Sequence, residues 1–320
     1  MDQPRSTRQN RRTAYVETYG CQMNISDGEL MEGILASHGY GVVSSPEEAD
    51  VILVNTCAIR EHAEQRVLGR VGELNRLKLE NPELVIGVTG CMAQRLGEKL
   101  LDRAQHVDLV MGPDGYRKLP EALAAIRPGA PVVTATDGTR GGGNAGTRAG
   151  AVAADAADTG VAKRTGELPV LPQGVVEASP GAGKRLAVLE LEPHENYEGL
   201  EPRRTGEVGA WVPVQRGCNY RCTYCIVPYV RGSEKNRDPA QVLDEVRAIA
   251  DQGVPEVTLL GQTVNSYVHG DWDFARLLRA VAEVDGIRRV RFTSPHPNDV
   301  TPELIAVMAE EPAVCRQLHL

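Results

Sequence analysis

The chain has 320 residues, with 35 lysines and arginines against 43 aspartates and glutamates, a formal net charge of −8 and a pI of about 5.5. This length suits two ordered domains, and the acidic balance is unlike that of a dedicated RNA-binding protein, whose basic surface neutralises phosphates. No run approaches the ~18 apolar residues of a membrane span, and no apolar signal core follows the basic amino terminus, so we expect neither membrane insertion nor secretion.

Three strands alternate with three helices in the first part of the chain, after a basic tail at residues 1–12 that we expect to be disordered. The predicted strands are Thr13–Thr18, Asp50–Asn55 and Leu84–Thr89, and the predicted helices are Asp27–His38, Ile59–Leu79 and Ala93–Asp102. Alternation of this kind is typical of an α/β fold with a doubly wound parallel sheet. We assign this first domain to residues 13–136.

A cysteine follows each of these strands closely: Cys21, Cys57 and Cys91. Right-handed crossovers bring strand ends of one polarity to the same rim of a parallel sheet, where ligands bind. One such cysteine alone is commonly a buried structural residue, but the same placement after three strands predicts convergence. We therefore expect the three thiolates to hold an iron-sulfur cluster with one iron left open.

The segment from Asp137 to about Lys184 is rich in glycine and alanine and lacks the apolar period of a strand. Such composition indicates a flexible linker or an insert, which we assign to residues 137–205. We assign no function to it.

A second group of cysteines, Cys218, Cys222 and Cys225, lies within eight residues. A structural zinc site needs a fourth ligand, and neither His194 nor His269 stands at a suitable spacing. A disulfide would leave one thiol over, and a redox pair of Cys222 and Cys225 ignores Cys218. A 4Fe-4S cluster held at three corners, with the fourth iron open, fits best.

Strand-helix units continue through the last part of the chain. The predicted strands are Trp211–Gln215, Glu256–Leu260 and Arg289–Thr293, and the predicted helices are Pro239–Gln252, Asp273–Val284 and Pro302–Glu310. This pattern predicts a partial (β/α) barrel over residues 206–320. A fourth strand begins near Gln317, so we expect the barrel to be truncated at its carboxyl end, with Cys315 as a structural thiol.

The cysteine spacing of this loop, with Tyr224 just before the last cysteine, resembles the radical S-adenosylmethionine enzymes. The resemblance implies that S-adenosylmethionine chelates the open iron and is cleaved to a 5′-deoxyadenosyl radical. It also implies that Tyr224 packs beside the cluster and the nucleoside. The resemblance further implies that Gln262 and Asn265, after the second barrel strand, are candidate cofactor contacts, although the sequence Gly-Gln-Thr-Val-Asn departs from the glycine-glycine-glutamate of the wider family.

Four segments are similar to the methylthiotransferases, and most similar to the tRNA-modifying branch: Tyr19-Gly-Cys-Gln-Met-Asn24, Asn55-Thr-Cys57, Thr89-Gly-Cys91 and the stretch from Gly217 to Gly232. This resemblance implies two 4Fe-4S clusters on the six cysteines, with S-adenosylmethionine as both methyl donor and radical source. The implied reaction adds a methylthio group to C2 of N6-isopentenyladenosine, next to the anticodon of tRNA. Two alternatives remain: the same chemistry on a ribosomal-protein aspartate, and a non-catalytic truncated iron-sulfur protein.

We further expect a monomer that receives electrons from a donor such as flavodoxin or ferredoxin. The thiols suit a reducing cytoplasm, and we expect a cytoplasmic location. Basic residues crowd the cysteine loop and are candidate contacts to a tRNA backbone: Arg203, Arg204, Arg216, Arg221, Arg231, Lys235 and Arg237. We expect Arg231 to shape the mouth of the site without a catalytic role, and His296 to be a hydrogen-bonded loop residue rather than a substrate contact.

Overall fold

A computed structural model describes residues 12–58, 61–127, 185–204, 206 and 208–319, except for the side chains of residues 61–63. Residues 1–11 of the predicted tail and residues 137–184 of the predicted linker lie outside the described residues. Among the helices that are described, none combines the length and apolarity needed to cross a bilayer.

Six parallel strands form the first sheet, in the order β2-β1-β3-β4-β5-β6. They are β1 Thr13–Thr18, β2 Gly41–Val42, β3 Val51–Thr56, β4 Val85–Gly90, β5 Leu109–Met111 and β6 Leu186–Val188. The central strands β3 and β4 are buried along their whole length, as parallel strands covered on both faces should be. The predicted doubly wound sheet is confirmed. Its order reverses between β1 and β3, which makes that crevice the topological switch point.

Helices cover both faces of this sheet: α1 Gln22–Ser37, α2 Glu61–Glu80, α3 Cys91–Leu96, α4 Lys99–Arg103 and α5 Leu119–Ile126. Alternate residues of β3 belong to two separate hydrophobic cores, because successive side chains of a strand point to opposite faces of the sheet. Val51 and Leu53 pack with α1 and α5, whereas Ile52 and Val54 pack with α2, α3 and α4. The helix predicted at Ala93–Asp102 is two helices, since Gly97 ends α3 in a left-handed conformation with φ of 56°.

The domain boundary needs one correction. Residues 185–204 were assigned to the linker, but β6 pairs in parallel with β5, from Leu109↔Leu186 to Met111↔Val188. Only three residues form this strand, so its apolar run is too short to stand out beside the glycine-rich segment. The first sheet therefore contains residues on both sides of the undescribed segment.

The second domain contains a parallel sheet in the order β13-β10-β7, backed by α7, α8 and α9. Its elements are β7 Gly209–Pro213, β8 Gln215–Arg216, α6 Val227–Val230, β9 Lys235–Asn236, α7 Pro239–Asp251, β10 Glu256–Leu260, β11 Val268–His269, β12 Trp272–Asp273, α8 Phe274–Ala282, β13 Arg289–Phe292 and α9 Pro302–Glu310. Short 3₁₀ helices lie at Pro46–Glu48, Tyr116–Lys118, Val264–Ser266 and Pro297–Asp299. The predicted partial barrel is confirmed.

The three long helices of this domain begin where the sequence places capping residues. The side chains of Asp238, Asp273 and Thr301 accept hydrogen bonds from backbone N–H groups in the first turns of α7, α8 and α9. A fourth strand was expected near Gln317. Residues 317–319 form no strand, and the chain instead makes a single parallel bridge between Val290 and Val314.

Candidate metal and cofactor site

A cavity of about 170 Å³ lies between the two domains, at the carboxyl ends of both parallel sheets. One wall carries Cys21, Cys57 and Cys91. These cysteines follow β1, β3 and β4, which are neighbours in the sheet and therefore end side by side. The facing wall is α6 with the residue after it, Arg231, and the ends of β10 and β13 complete the lining. The structure thus collects the first three predicted cysteines around one space.

The three thiols differ in their surroundings. The Cys21 Sγ donates to Asn24 Oδ1 at 3.2 Å, and a hydrogen bond with the Cys57 thiol lowers the pKa of Cys21 to about 6. Burial raises the pKa of the Cys91 thiol, and the charge of Arg231 opposes this shift. The thiolate is the form of cysteine that ligates metals, and the lowered pKa of Cys21 favours that form.

A glycine in a left-handed conformation precedes three of the six predicted ligands. A Cβ on Gly20 would stand 2.7 Å from the Cβ of Cys57, and one on Gly90 would stand 2.5 Å from the backbone oxygen of Thr56. A Cβ on Gly217 would stand 2.0 Å from the backbone oxygen of Ser233. Their φ values of 142°, 90° and 74° are ones that other residues rarely adopt, so glycine is required for these close approaches.

Two buried asparagines join the loops that carry Cys21 and Cys57. Asn55 Nδ2 donates to the backbone oxygen of Asn24 at 2.7 Å, and Asn24 Nδ2 donates to Asn55 Oδ1 and to the backbone oxygen of Thr56. The hydroxyl of Thr56 in turn donates to the backbone oxygen of Thr89 at 2.7 Å. These bonds fix the ends of β3 and β4 relative to the start of α1.

The second cysteine group lies on the loop between β8 and β9. These strands pair antiparallel, with Gln215 opposite Asn236 and Arg216 opposite Lys235, so they close the base of the loop. Cys218 is buried, with its Sγ 3.8 Å from Thr263 Oγ1, and burial raises the pKa of its thiol. Cys222 and Cys225 are partly exposed on the same loop, and the Cys225 N–H donates to the Cys222 oxygen.

In the part of the chain that the structure describes, no group of three or more histidine, cysteine, aspartate or glutamate side chains surrounds a single metal-ion position. The thiolates of a cubane cluster bind different irons and therefore stand farther apart than the ligands of one ion. All seven cysteines lie in this described part, and none forms a disulfide.

Two buried ion-pair groups connect the domains, and the sequence interpretation missed both. Asp27 of α1 accepts from Arg216 Nη2 and from Arg231 Nη2, both at 2.8 Å, and its side chain is 0% exposed. Lys235 Nζ donates to Asp114 at 2.6 Å in a second buried pair. A signal existed for Asp27, because it lies four residues after the buried Met23 on the inward face of α1.

Most of the basic residues around the cysteine loop pair with acidic side chains of the same chain. Six of the seven form ion pairs within the chain, with these partners: Arg203 with Glu32, Arg204 and Arg237 with Glu245, Arg216 and Arg231 with Asp27, and Lys235 with Asp114. The contact of this group with a tRNA backbone stays a prediction, and the partly exposed Arg203 is better placed for it than the buried Arg216 and Arg231. These basic residues cluster in the sequence, and the fold brings an acidic partner next to each of the six.

The structure places the three predicted cofactor contacts in different settings. Gln262 lines the cavity, and its Oε1 is buried without a hydrogen-bond partner. Asn265 lies away from the cavity lining and bonds the backbone of His296 with both ends of its amide, Nδ2 to the oxygen at 2.9 Å and Oδ1 from the N–H at 2.6 Å. Tyr224 is 90% exposed, and its packing beside a cluster and a nucleoside stays a prediction.

The remaining loop residues have structural partners. The His296 ring stacks on Tyr220 with centroids 3.9 Å apart, and its Nδ1 accepts from the Asn298 N–H at 3.2 Å. The Tyr220 hydroxyl donates to the Asp299 carboxylate. These contacts agree with a hydrogen-bonded loop histidine.

Two unpaired polar atoms test whether the cavity residues suit a bound group. Arg231 Nη1, a donor, and Gln262 Oε1, an acceptor, are both buried without a partner, and both residues line the cavity. Buried polar atoms are nearly always hydrogen-bonded, so each of these two atoms indicates a missing partner. A thiolate-ligated cluster near Arg231 and a cofactor amine near Gln262 would supply an acceptor and a donor. The residues therefore fit both groups.

Comparison with known proteins agrees with the division of the chain into two domains. Residues 13–112 match the family described as "Uncharacterized protein family UPF0004", and residues 212–320 match the radical SAM superfamily. The chain is 38% identical over 308 residues to the tRNA-2-methylthio-N(6)-dimethylallyladenosine synthase of Chloroherpeton thalassium, covering 96% of this chain and 56% of that protein. It is 40% identical over 310 residues to the protein of the same name from Dictyoglomus thermophilum, covering 96% and 58%.

The chain thus spans a little over half the length of the curated relatives that it matches. Among solved structures, the radical S-adenosylmethionine methyltransferase TsrM from Kitasatospora setae aligns with a TM-score of 0.49 at 14% identity, over 95% of this chain and 67% of that one.

Proposed function

We propose that this chain, which is homologous over almost all of its length to the tRNA-2-methylthio-N(6)-dimethylallyladenosine synthases, provides the two cluster-binding domains of a radical S-adenosylmethionine methylthiotransferase. The observation that carries this proposal is the cavity where the first three cysteines face α6 of the second cysteine loop. A reaction that needs a radical source beside a sulfur source requires the two cysteine groups to lie near each other. The loop of the second group reaches the cavity through α6, although Cys218, Cys222 and Cys225 do not line it.

Each cysteine group would hold one 4Fe-4S cluster at three corners. Cys21, Cys57 and Cys91 hold the first, which we call the N-terminal cluster, and Cys218, Cys222 and Cys225 hold the second, the radical cluster. When bound, the clusters and S-adenosylmethionine would supply the electron, the radical, the methyl group and the sulfur. Asn24, Asn55 and the glycines before the cysteines hold the ligands in place.

Residues of the second domain would orient the cofactor. Gln215 Oε1 accepts from the N–H groups of Gln262 and Thr263 at 2.9 and 3.1 Å, which fixes the loop after β10. Gln262 would present its unpaired Oε1 to the amino group of S-adenosylmethionine. Asn265 would act indirectly, because its amide holds the His296 backbone. Tyr224 would cover the cofactor only after a movement of its exposed ring.

The apolar side chains of α6 would keep water away from the reacting atoms. Val227 and Val230 of α6, together with Ile226 just before it, line the cavity opposite the first cysteine group. A radical formed in such a space meets fewer solvent hydrogens, since exclusion of water suppresses side reactions. The contribution of these side chains is thus to protect the radical rather than to react with it.

The proposed substrate is tRNA carrying N6-isopentenyladenosine next to the anticodon, with a methylthio group added at C2. The names of the relatives support a tRNA substrate over a ribosomal-protein aspartate. We also propose a cytoplasmic monomer that takes electrons from flavodoxin or ferredoxin. A non-catalytic iron-sulfur protein is the outcome to be tested against this proposal.

Anaerobic reconstitution with iron and sulfide, followed by S-adenosylmethionine and dithionite, tests the activity. The chain should release 5′-deoxyadenosine, and mass spectrometry of digested tRNA should detect the 2-methylthio nucleoside. Cys222→Ala is the matched control, and it should abolish both products. Full iron loading without any cleavage of S-adenosylmethionine would contradict the proposal and would support the non-catalytic alternative.

A further inference from the structure

A buried excess of positive charge lies where the two domains meet. Two guanidinium groups, those of Arg216 and Arg231, share the single carboxylate of Asp27, and all three side chains are at most 4% exposed. The neighbouring pair of Lys235 and Asp114 is neutral as a whole. Among the ion-paired side chains of the described interface there is therefore one buried cation more than there are buried carboxylates, and the cysteines are the remaining groups that can carry a balancing negative charge.

Proteins rarely bury an ionised group without an opposite charge beside it, because desolvation is costly. A 4Fe-4S core in its oxidised diamagnetic state, held by three thiolates, has a net charge of roughly −1. Such a cluster on Cys21, Cys57 and Cys91 would balance the excess cation. The charges of these side chains therefore favour an anionic group in the cavity.

Arg231 is the residue that connects this charge to the cysteines. Its Nε donates to the Cys91 Sγ at 3.2 Å, and its Nη2 donates to Asp27 Oδ2 at 2.8 Å. Its Nη1 is buried and has no partner, although the residue lines the cavity. Two of the three nitrogens are therefore fixed by the chain, and the third remains for a group in the cavity.

We propose that Arg231 is a positioning residue that raises the reduction potential of the N-terminal cluster, by its N–H···S bond to Cys91 and by its buried positive charge. Asp27 holds the guanidinium in place and joins it to Arg216, two residues before Cys218. This inference rests on the proposed function only in requiring a cluster at the first cysteine group.

The direction of the effect follows from charge. Reduction adds one electron to the cluster irons, breaks no bond and is driven in the test by dithionite. Hydrogen bonds to the sulfurs and the net charge nearby both set the potential of an iron-sulfur cluster. A cation beside it stabilises the reduced, more negative form, and an anion destabilises that form. Removing Arg231 should lower the potential, whereas neutralising Asp27 should raise it.

The experiment uses the full chain with Cys218, Cys222 and Cys225 replaced by alanine, so that only the N-terminal cluster forms. Its midpoint potential is measured by an anaerobic dithionite titration followed by electron paramagnetic resonance. Arg231→Met should shift the reduced-to-oxidised ratio by tenfold or more, a lowering of about 59 mV for a one-electron couple. Arg231→Lys should give a smaller lowering, because it keeps the charge but loses the rigid fork of donors.

Asp27→Asn should shift the potential upward. The lowering in Arg231→Met is the sign that general loosening of the fold does not produce, because water that reaches the cluster stabilises its reduced, more negative form. Arg204→Met is the control, since Arg204 pairs with Glu245 and contacts no cysteine, and it should leave the potential unchanged. Equal potentials in the parent and the Arg231 variants, or a downward shift in Asp27→Asn, would overturn the inference. If Arg231→Met does not fold, the shifts in midpoint potential in Arg231→Lys and Asp27→Asn still test the direction of the effect. A parent chain without iron would instead overturn the proposed function itself.

Discussion

Asn24 and Asn55 form a reciprocal pair across the switch point of the first sheet: Asn55 Nδ2 donates to the Asn24 oxygen at 2.7 Å, and Asn24 Nδ2 donates to Asn55 Oδ1 at 3.3 Å. Both residues are 0% exposed. Since Cys21 and Cys57 lie within three residues of this pair, the distance between the two thiols depends on it.

Replacing Asn55 with alanine should reduce both stability and iron retention at the first cysteine group. The backbone oxygen of Asn24 would lose its buried donor, which typically costs about 1–3 kcal/mol. The free energy of unfolding in guanidinium and the iron content after gel filtration measure the two effects. Asn81→Ala, at an exposed turn where the side chain accepts only from the Glu83 N–H, should change neither.

Removing the shared carboxylate at Asp27 should be among the most destabilising single changes in the chain. Asp27→Ala leaves the guanidinium groups of Arg216 and Arg231 buried together without an anion, and breaking such a pair typically costs about 3–5 kcal/mol. Asp244→Ala removes an exposed partner of Arg247 and should cost under about 1 kcal/mol. Equal losses in the two variants would contradict the buried arrangement.

Gln262 gives a direct test of cofactor binding. If its buried Oε1 accepts a hydrogen bond from S-adenosylmethionine, Gln262→Ala should weaken binding by roughly 2- to 10-fold, the usual net worth of one such bond. Isothermal titration of the reconstituted protein measures the dissociation constant. Gln252→Ala, exposed at the end of α7, is the matched control. Unchanged affinity in Gln262→Ala would remove this residue from the cofactor site.

Glu29 on α1 should make stability depend on pH. Burial raises its pKa from the usual 4.5 to about 7, with Arg204 opposing the shift and Glu32 adding to it. Between these two values the folded state holds a proton that the unfolded state has lost, so stability falls as the pH rises. Glu29→Gln should therefore be more stable than the parent at pH 8 and nearly equal to it at pH 4.5. Denaturant midpoints at both values measure this.

Glu80→Gln, at the exposed end of α2, should give no such difference between the two pH values. A Glu29→Gln advantage that is the same at both pH values would show that Glu29 does not carry the dependence.

Sequence reasoning recovered the elements whose periodicity is long and regular. The bounds Thr13–Thr18, Glu256–Leu260 and Pro302–Glu310 agree with the structure, because apolar alternation and helix caps are local signals. The strand-then-cysteine repeat also predicted that Cys21, Cys57 and Cys91 would meet, since strand polarity alone determines where the ends of parallel strands lie.

Contacts between distant segments could not be predicted in this way. The pairing of Arg231 with Asp27 joins residues 204 positions apart, and no local pattern connects them. The same limit explains why the ion pairs of the basic residues were not predicted, because their acidic partners are identified only after the two domains come together. The short strand β6 was missed since three residues carry too little periodicity.

Iron and sulfide analysis of three anaerobically reconstituted proteins tests the central claim most directly: the parent, a variant with Cys21, Cys57 and Cys91 replaced by alanine, and one with Cys218, Cys222 and Cys225 replaced. Two independent clusters predict about eight irons in the parent and about four in each variant. The claim is contradicted if the parent holds about four irons and either replacement removes them all.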